Sequence, residues 1–275
     1  MSGYTISVES EIAHLRMNRP EAYNALRADF WNSLPDTIAE LDKRADIRCL
    51  VLSAEGKGFC AGMDLSVFSG GMLEPNSPAA REAFYYLARS LQRTFSCLEE
   101  ARFPVIGVIQ GPCIGAGLEL AAACDLRIAA SDAYFRIEEI NTGIMADVGA
   151  LQRMPKILPD PVVREMAFLG TKLSAGRARE LGFVMSVLDT PELALNAAME
   201  VARSISDKAP VALSGSKAAL NWARDHSVAD ALEWSARTQS ALWSTADISA
   251  AITARETKSP ADYERLLDIK MIGET

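Results

Sequence analysis

Positive charge is in short supply in this 275-residue chain, where 28 Lys and Arg stand against 36 Asp and Glu for a formal net charge of −8. A sequence-independent hold on phosphate backbones or anionic lipid needs clustered cations, so neither a nucleic-acid partner nor a membrane surface is expected. Uncharged apolar runs are short as well: nowhere do about 18 such residues follow one another, which argues against a membrane-spanning helix. Residues 1–10 hold no basic stretch followed by an apolar run, as a signal peptide would. Cysteine is sparse and scattered. Cys49, Cys60, Cys97, Cys113 and Cys124 form no CxxC pair and no metal-ligand grouping with either histidine, His14 or His226, so no metal site is expected. Dispersed thiols of odd number fit a reducing compartment. The chain does not end in Ser-Lys-Leu, the tripeptide a peroxisomal receptor reads, and a cytoplasmic protein is the expectation. Flexible-linker composition, low-complexity tracts and short internal repeats are missing too.

What is present is apolar bulk, 49% of residues, enough for one large domain or one domain with a smaller appendage. Residues 5–8 and 13–17 alternate apolar with polar, as a hairpin of half-buried strands does. A helix is predicted over 27–44. Residues 48–53 then form a continuous apolar run (Cys49-Leu50-Val51-Leu52) suited to a strand buried on both faces. A helix over 78–99 and a second buried strand over 104–109 follow, then a Gly-rich turn and an apolar helix over 116–123. Residues 125–130 and 133–137 read as strands, 147–158 and 174–181 as helices, and 183–188 as a strand. This alternation predicts an α/β fold with largely parallel pairing. From about 191 onward only helical periodicity appears, over 193–204, 211–224, 228–243 and 248–255. The chain therefore divides into a core over 1–204 and a helical region over 205–275, whose apolar face could serve a subunit contact.

Two Gly-rich segments each follow a buried strand: Gly58-Phe59-Cys60-Ala61-Gly62-Met63-Asp64-Leu65, and Gly111-Pro112-Cys113-Ile114-Gly115-Ala116-Gly117-Leu118-Glu119. Small residues let a ligand approach the main chain, and a turn entering a helix leaves amide donors free. Two such turns side by side could aim a pair of N–H groups at one oxygen, an oxyanion hole. Either turn alone is equally an ordinary strand-to-helix connection.

Together the two segments resemble the paired signature of the enoyl-CoA hydratase/isomerase (crotonase) superfamily. Asn18-Arg19-Pro20-Glu21-Ala22-Tyr23-Asn24-Ala25-Leu26 resembles the family's loop beside the CoA nucleotide, and the resemblance covers nearly the whole chain. It implies a spiral of strand-strand-helix turns with a carboxyl-terminal helical trimerisation region, a homotrimer or dimer of trimers, and an acyl-CoA thioester as substrate. Coenzyme A would then be part of the substrate, with no separate cofactor. The implied oxyanion donors are the N–H groups of Met63 and Ala116, with Gly117 allowing close approach. Ala22, Ala61, Gly62, Asp64 and Leu65 are the implied substrate-binding positions.

Carboxylates decide the reaction, because a fold does not fix it. The resemblance places Glu119 and Glu139 where hydratases carry their catalytic pair: Glu119 would activate water and Glu139 would exchange the proton at C2. Without the resemblance, Glu119 could cap or pair structurally, and Glu138-Glu139 could be a solvated acidic pair. The run Phe135-Arg136-Ile137-Glu138-Glu139 through Asp147 to Lys156 resembles the dienoyl-CoA isomerase branch, in which an acid at Asp147 works with Glu139. Phe30-Trp31 and Arg224-Asp225-His226-Ser227-Val228 add to that similarity. The alternative for Asp147 is a cap on a helix starting at Val148, a role Asp fills well. Glu119 departs from the isomerase pattern, which has aspartate there, so the set combines both patterns. The implied activity is movement of the double bonds of a 3,5-dienoyl-CoA to the 2,4 positions in fatty-acid β-oxidation. The rivals are a 2-enoyl-CoA hydratase (a lyase), a noncatalytic acyl-CoA-binding or RNA-binding member of the fold and, more remotely, a hydrolase using serine or cysteine.

Overall fold

The computed structural model describes residues 2–68, 76–270 and 272–273, so part of the end of the region assigned to 205–275 lies outside the described residues. Strands β1 (Tyr4–Glu9) and β2 (Ile12–Met17) form the expected antiparallel hairpin, with Tyr4 opposite Met17 and Glu9 opposite Ile12. Its two loop residues, Ser10 and Glu11, both have positive φ, as in the primed turns whose twist matches that of the flanking strands. Helix α1 (Ala28–Lys43) leads to β3 (Cys49–Ala54), parallel to β2, and α2 (Pro78–Glu100) leads to β4 (Val105–Ile109), parallel to β3.

After β4 the chain steps into a second sheet. β5 (Pro112–Ile114) precedes α3 (Ala116–Ala122); β6 (Leu126–Ala130) returns to the first sheet, and β7 (Tyr134–Arg136) pairs in parallel with β5. Cys60, beyond β3, bridges in parallel to Cys113 of β5. Each turn of the chain thus adds one strand to the large sheet, one short segment to the small sheet, and then a helix. Of the small sheet only β7 was anticipated, inside the strand expected over 133–137; β5 and β8 were not, since strands of two or three residues leave little trace in local periodicity.

Helices α4 (Ala150–Arg153) and α5 (Asp160–Leu169), strand β8 (Leu173–Ser174), helix α6 (Ala175–Glu180), strand β9 (Ser186–Leu188) and helix α7 (Pro191–Ser206) complete the core. The large sheet runs β1-β2-β3-β4-β6-β9 and the small one β5-β7-β8. The single helix expected over 147–158 is instead α4 followed by a 3₁₀ turn at Met154–Lys156. Pro155 accounts for the break at one end, since it offers no N–H to continue the α-helical ladder; at the other end Gly149, with φ of +144°, lies outside helical geometry. Helix α5 was not predicted, although Pro161 near its start and Gly170 in a left-handed cap after it are ordinary boundary signals.

The large sheet is covered on both faces, which is why β3 and β4 read as unbroken apolar runs. On one face Val51, Ile106, Val108 and Ile128 meet Ala194, Ala198 and Ala202 of α7, a stripe at i, i+4 and i+8 whose small side chains let helix and sheet approach closely. On the other face Leu50, Leu52, Val105 and Ile109 join Phe30, Trp31 and Leu34 of α1 and Phe95 and Leu98 of α2. Complete burial of each such side chain is worth about 1.5–3 kcal/mol.

Helices α8 (Pro210–Asp225), α9 (Val228–Leu242) and α10 (Thr245–Thr257) follow. Ser227 and Ser244 cap α9 and α10 by accepting from the N–H groups of Asp230 and Asp247. Helix α8 is pegged to the core by Lys217. Its buried ammonium donates to the carbonyls of Leu98 (2.6 Å) and Phe103 (2.9 Å) and pairs with Asp125 at 2.8 Å. Leu220, Val228, Leu232 and Trp243 on α8 and α9 are exposed. Among the described residues no helix is long and apolar enough to cross a membrane.

Candidate active site

The two Gly-rich turns meet. The backbone over 58–64 is tied on one side to the second turn: Phe59 N donates to Gln110 O (2.7 Å), Cys60 N to Pro112 O (3.0 Å) and Ile114 N to Cys60 O (3.0 Å). On the other side it is tied to the loop that carries Ala22. Ala61 N donates to Tyr23 O (2.9 Å), Leu26 N to Gly62 O (2.8 Å) and Asp64 N to Leu26 O (2.9 Å). Met63 is the bridging partner of Leu26 in this parallel pairing. The bridge uses the N–H groups of Leu26 and Asp64, so that of Met63 faces the opposite side.

Ala116 is the first residue of α3, where a helix leaves its N–H groups unpaired. The two donors are neighbours: a Cβ built on Gly62 would lie 3.6 Å from Ala116 N and 3.2 Å from Ile114 O. Gly62 and Gly115 have φ of +97° and +54°, the region other residues avoid. These glycines turn the backbone where the first turn, at Gly62, lies against the start of α3. Gly117 also has a packing role. The close approach it permits is between α3 and the first turn, since a methyl group there would stand 2.6 Å from both Cβ and O of Cys60.

Beside Ala22, the buried side chain of Asn24 accepts from Arg19 N (2.9 Å) and donates to the carbonyls of Glu55 and Gly58 (2.9 Å each). It stitches the 19–24 loop to the first turn, with Tyr23 and Asn24 both at positive φ. Sequence reading did not single out Asn24, although Asn is, after glycine, among the residues most at ease in that conformation. The Asp64 carboxylate is already engaged. It accepts from Ser66 Oγ (2.7 Å) and Ser66 N (3.0 Å) and pairs with Arg19 (3.1 Å), and the Ser66 hydroxyl first among these holds its pKa down at about 2. Asp64 therefore fixes the loop, while the neighbouring Leu65, 82% exposed, offers an apolar surface. Ala22, Ala61 and Met63 are half-buried around the same spot.

Three carboxyl groups surround the turns. Glu119, in the first turn of α3, is 1% exposed. Burial, then the nearby charge of Glu139, push its pKa up to about 7. Glu119 Oε1 accepts from the N–H groups of Val148 and Ala150, both at 3.1 Å. These amides lie where a helix start has no carbonyl partner to offer them, and α4 starts only at Ala150 because Gly149 before it has φ of +144°, outside helical geometry.

Glu139 opens a 3₁₀ turn (Glu139–Thr142). Its Oε1 would lie 3.2 Å from a Cβ on Gly115, directly before the Ala116 donor. Burial and the charges of Asp147 and Glu138 raise its pKa, and its Oε2 has no hydrogen-bond partner among the described residues. The solvated-pair reading of Glu138-Glu139 does not hold: Glu138 pairs with Arg136 at 2.9 Å, whereas Glu139 turns inward.

Asp147 is half-buried, and burial raises its pKa. Its alternative role as a helix cap is overturned: the cap position of α4 is Gly149, and the first amide of that helix, Ala150 N, is taken by Glu119. Crowded acids in an apolar site separate into neutral and ionised members, which is the requirement for passing a proton from one to another.

The remaining expectations find other uses. Cys60 and Cys113 are buried, and desolvation pushes the Cys60 thiol up to about 12 and the Cys113 thiol well above its usual value, the opposite of a nucleophile. His14 Nε2 shares a hydrogen bond with Ser53 Oγ (2.7 Å), and the His226 ring stacks on Trp222 at 3.7 Å. Among the described residues no group of three His, Cys, Asp or Glu side chains is placed to hold a metal ion. Phe30 and Trp31 belong to the core beneath the first turn, with Trp31 Nε1 donating to Leu26 O at 3.2 Å.

The chain is similar to proteins of known family. It is 39% identical over 261 residues to the mitochondrial Delta(3,5)-Delta(2,4)-dienoyl-CoA isomerase of Mus musculus, covering 92% of this chain and 80% of that one. It is 34% identical to the peroxisomal enzyme of the same name from Arabidopsis thaliana, covering 94% and 95%. The crystal structure of enoyl-CoA hydratase from Bacillus anthracis superposes with a TM-score of 0.86 at 26% identity, covering 95% of this chain and 98% of that one. A family model described as Enoyl-CoA hydratase/isomerase matches residues 7–265, and with that extent of agreement the chain belongs to the enoyl-CoA hydratase/isomerase family.

Proposed function

We propose that the protein isomerises 3,5-dienoyl-CoA thioesters to 2,4-dienoyl-CoA thioesters in fatty-acid β-oxidation. The observation that carries this reading is the juxtaposition of Glu139 with the Ala116 donor, with Asp147 free of any capping role and electrostatically coupled to Glu139. The thioester oxygen accepts from Met63 and Ala116 N–H. Glu139, ionised, takes a proton from C2. The electron pair spreads through the conjugated chain onto the oxygen, C4 and C6, and the two amides stabilise the oxyanion form. Asp147, protonated, then donates its proton at C6, leaving double bonds at 2,3 and 4,5. One proton is taken and one given, so the cycle closes when a proton returns from Glu139 to Asp147 through solvent.

Glu119 serves chiefly as the acceptor that shapes the 148–150 segment. Ala22, Ala61, Gly62 and Leu65 line the thioester's approach, and Asp64 braces it. Coenzyme A arrives as part of the substrate, with no further cofactor. The protein acts in the cytoplasm, a reading supported by five free, buried thiols. It works as a homotrimer or dimer of trimers, supported by the exposed Leu220, Val228, Leu232 and Trp243 of α8 and α9.

The test is ultraviolet absorbance of purified protein with a 3,5-dienoyl-CoA and, separately, a 2-enoyl-CoA. Growth of 2,4-dienoyl absorbance that Asp147→Asn abolishes is expected. Loss of enoyl absorbance without any dienoyl product would instead make Glu119 and Glu139 a hydratase pair.

A further inference from the structure

We propose that Arg153, held by Glu99, is the positioning residue for the carboxylate cluster: it fixes the 147–150 segment so that Asp147 and Glu119 stay in register with Glu139. The proposal deepens the isomerase reading and rests on it for the meaning of the cluster.

The segment carries Asp147 and supplies both amides that Glu119 accepts, yet residues 147–149 are neither strand nor helix, so their conformation must be imposed from outside. Arg153 imposes it. Its buried guanidinium donates from Nη1 to Val148 O at 3.1 Å, and Val148 N on the far side of the same residue donates to Glu119 Oε1 at 3.1 Å. The backbone at Val148 is thereby clamped between an arginine and a glutamate. Gln92 Nε2 holds the preceding carbonyl, Asp147 O, at 2.9 Å, and Arg153 N accepts the role of closing α4 by donating to Gly149 O at 2.9 Å.

Gly149 records the same constraint. It has φ of +144°, and a Cβ there would overlap Arg153 Nη1, so only glycine lets the segment lie against the guanidinium. The other face of Arg153 is locked in turn. Nε and Nη2 both donate to Glu99 Oε2 (2.9 and 2.7 Å), Nη2 also donates to Ser96 Oγ (2.9 Å), and Glu99 Oε1 accepts from Arg224 of α8 at 2.5 Å. A cavity of about 300 Å³ opens between Gln92, Ser96, Arg224 and Asp147. The segment therefore has open space behind it and would shift if the guanidinium let go. A forked, planar donor set of this kind is something arginine supplies and lysine does not.

The test compares wild type with Arg153→Lys and Glu99→Gln. Three readouts are taken: kcat and KM on a 3,5-dienoyl-CoA, their pH profiles, and the infrared carboxyl band of Glu119, identified by its loss in Glu119→Gln. Displacement of a supporting group by about 1 Å can cost on the order of 100-fold in rate. Arg153→Lys is accordingly expected to lose kcat on that scale with KM little changed, and the Glu119 band is expected to titrate at higher pH because the two amides that favour its ionised form have moved. Folded Arg153→Lys with wild-type kcat and a wild-type Glu119 titration overturns the proposal, as does a lowered Tm with kcat per folded molecule and titration unchanged. If Arg153→Lys does not fold, Glu99→Gln, which keeps the acceptor's shape and drops its charge, is held to the same readouts. Should wild type lack isomerase activity, the isomerase reading fails, while the infrared titration still decides whether Arg153 positions Glu119.

Discussion

Gly117 and Cys60 are in contact closely enough that no side chain fits between them, a Cβ on Gly117 falling 2.6 Å from both Cβ and O of Cys60. That contact sets the separation of the two turns and hence of their N–H donors. Gly117→Ala is expected to destabilise the protein by about 1–3 kcal/mol, as overpacking of a tight site does, and to lower kcat by pushing Ala116 N away from Met63 N. Urea unfolding and steady-state rates on the same sample check both; a folded variant with unchanged kcat would mean the donors tolerate a wider gap.

Asp147→Asn removes the proposed donor at C6 while keeping the side chain's shape. General-acid catalysis is worth about 10²–10⁴-fold, and a kcat loss of that size is expected with little change in KM. Since Asp147 caps no helix, Tm should stay near that of wild type. A large loss of stability with only a small loss of rate would count against the assignment.

Glu139→Gln is expected to end exchange of the C2 hydrogen with solvent deuterium, because no base is left beside the Ala116 donor. Asp147→Asn should retain that exchange, since Glu139 can still remove and return the C2 proton. Proton NMR of the recovered thioester in deuterium oxide separates the two variants.

Glu119 ties stability to pH in a stated direction. Its folded-state pKa of about 7 stands above the ordinary 4.5, so the folded protein holds this proton more tightly than the unfolded chain does. Stability from this group is full below about pH 4.5 and is lost as pH rises to about 7, a difference on the order of 3 kcal/mol at 1.36 kcal/mol per pH unit. Glu119→Gln keeps an oxygen for the N–H groups of Val148 and Ala150 and has no charge to bury. It is expected to raise Tm at pH 8 and to do so much less at pH 4.5. Calorimetry at the two pH values reads the difference; an equal effect at both would remove Glu119 as the source.

Leu220→Glu together with Leu232→Glu puts charge on the exposed apolar face of α8 and α9. If that face joins subunits, sedimentation should show a smaller species than wild type, with the core intact by circular dichroism. An unchanged mass would send the search for a subunit contact elsewhere.

The large sheet was legible because its central strands are buried on both faces and read as apolar runs, Leu50 to Leu52 being the plainest case, while its edge hairpin shows through alternation. The acids and Gly-rich turns were legible as motifs. The scaffold that disciplines them was not. The helix expected over 147–158 starts only at Ala150, because Gly149 lies at φ of +144° between two residues whose N–H groups donate to Glu119, some thirty residues earlier, a non-local arrangement that no window of sequence contains. Gly117 was read only as allowing close approach to the main chain; that it also makes room for Cys60 was not legible. Asn24, Glu99 and Arg153 were passed over because a polar residue inside an amphipathic pattern looks like any other surface residue until its partners are brought to it.

Lys217 gives the fold an order of completion. The ribosome makes α8 after all the strands of both sheets, yet the carbonyls of Leu98 and Phe103 and the carboxylate of Asp125 wait for its ammonium, and Glu99 for Arg224. A nascent chain that has emerged only through α7 already has its turns and its acids in sequence but leaves those acceptors without their late-arriving cations. Those acceptors are therefore satisfied only once α8 has been made and docks, near the end of synthesis.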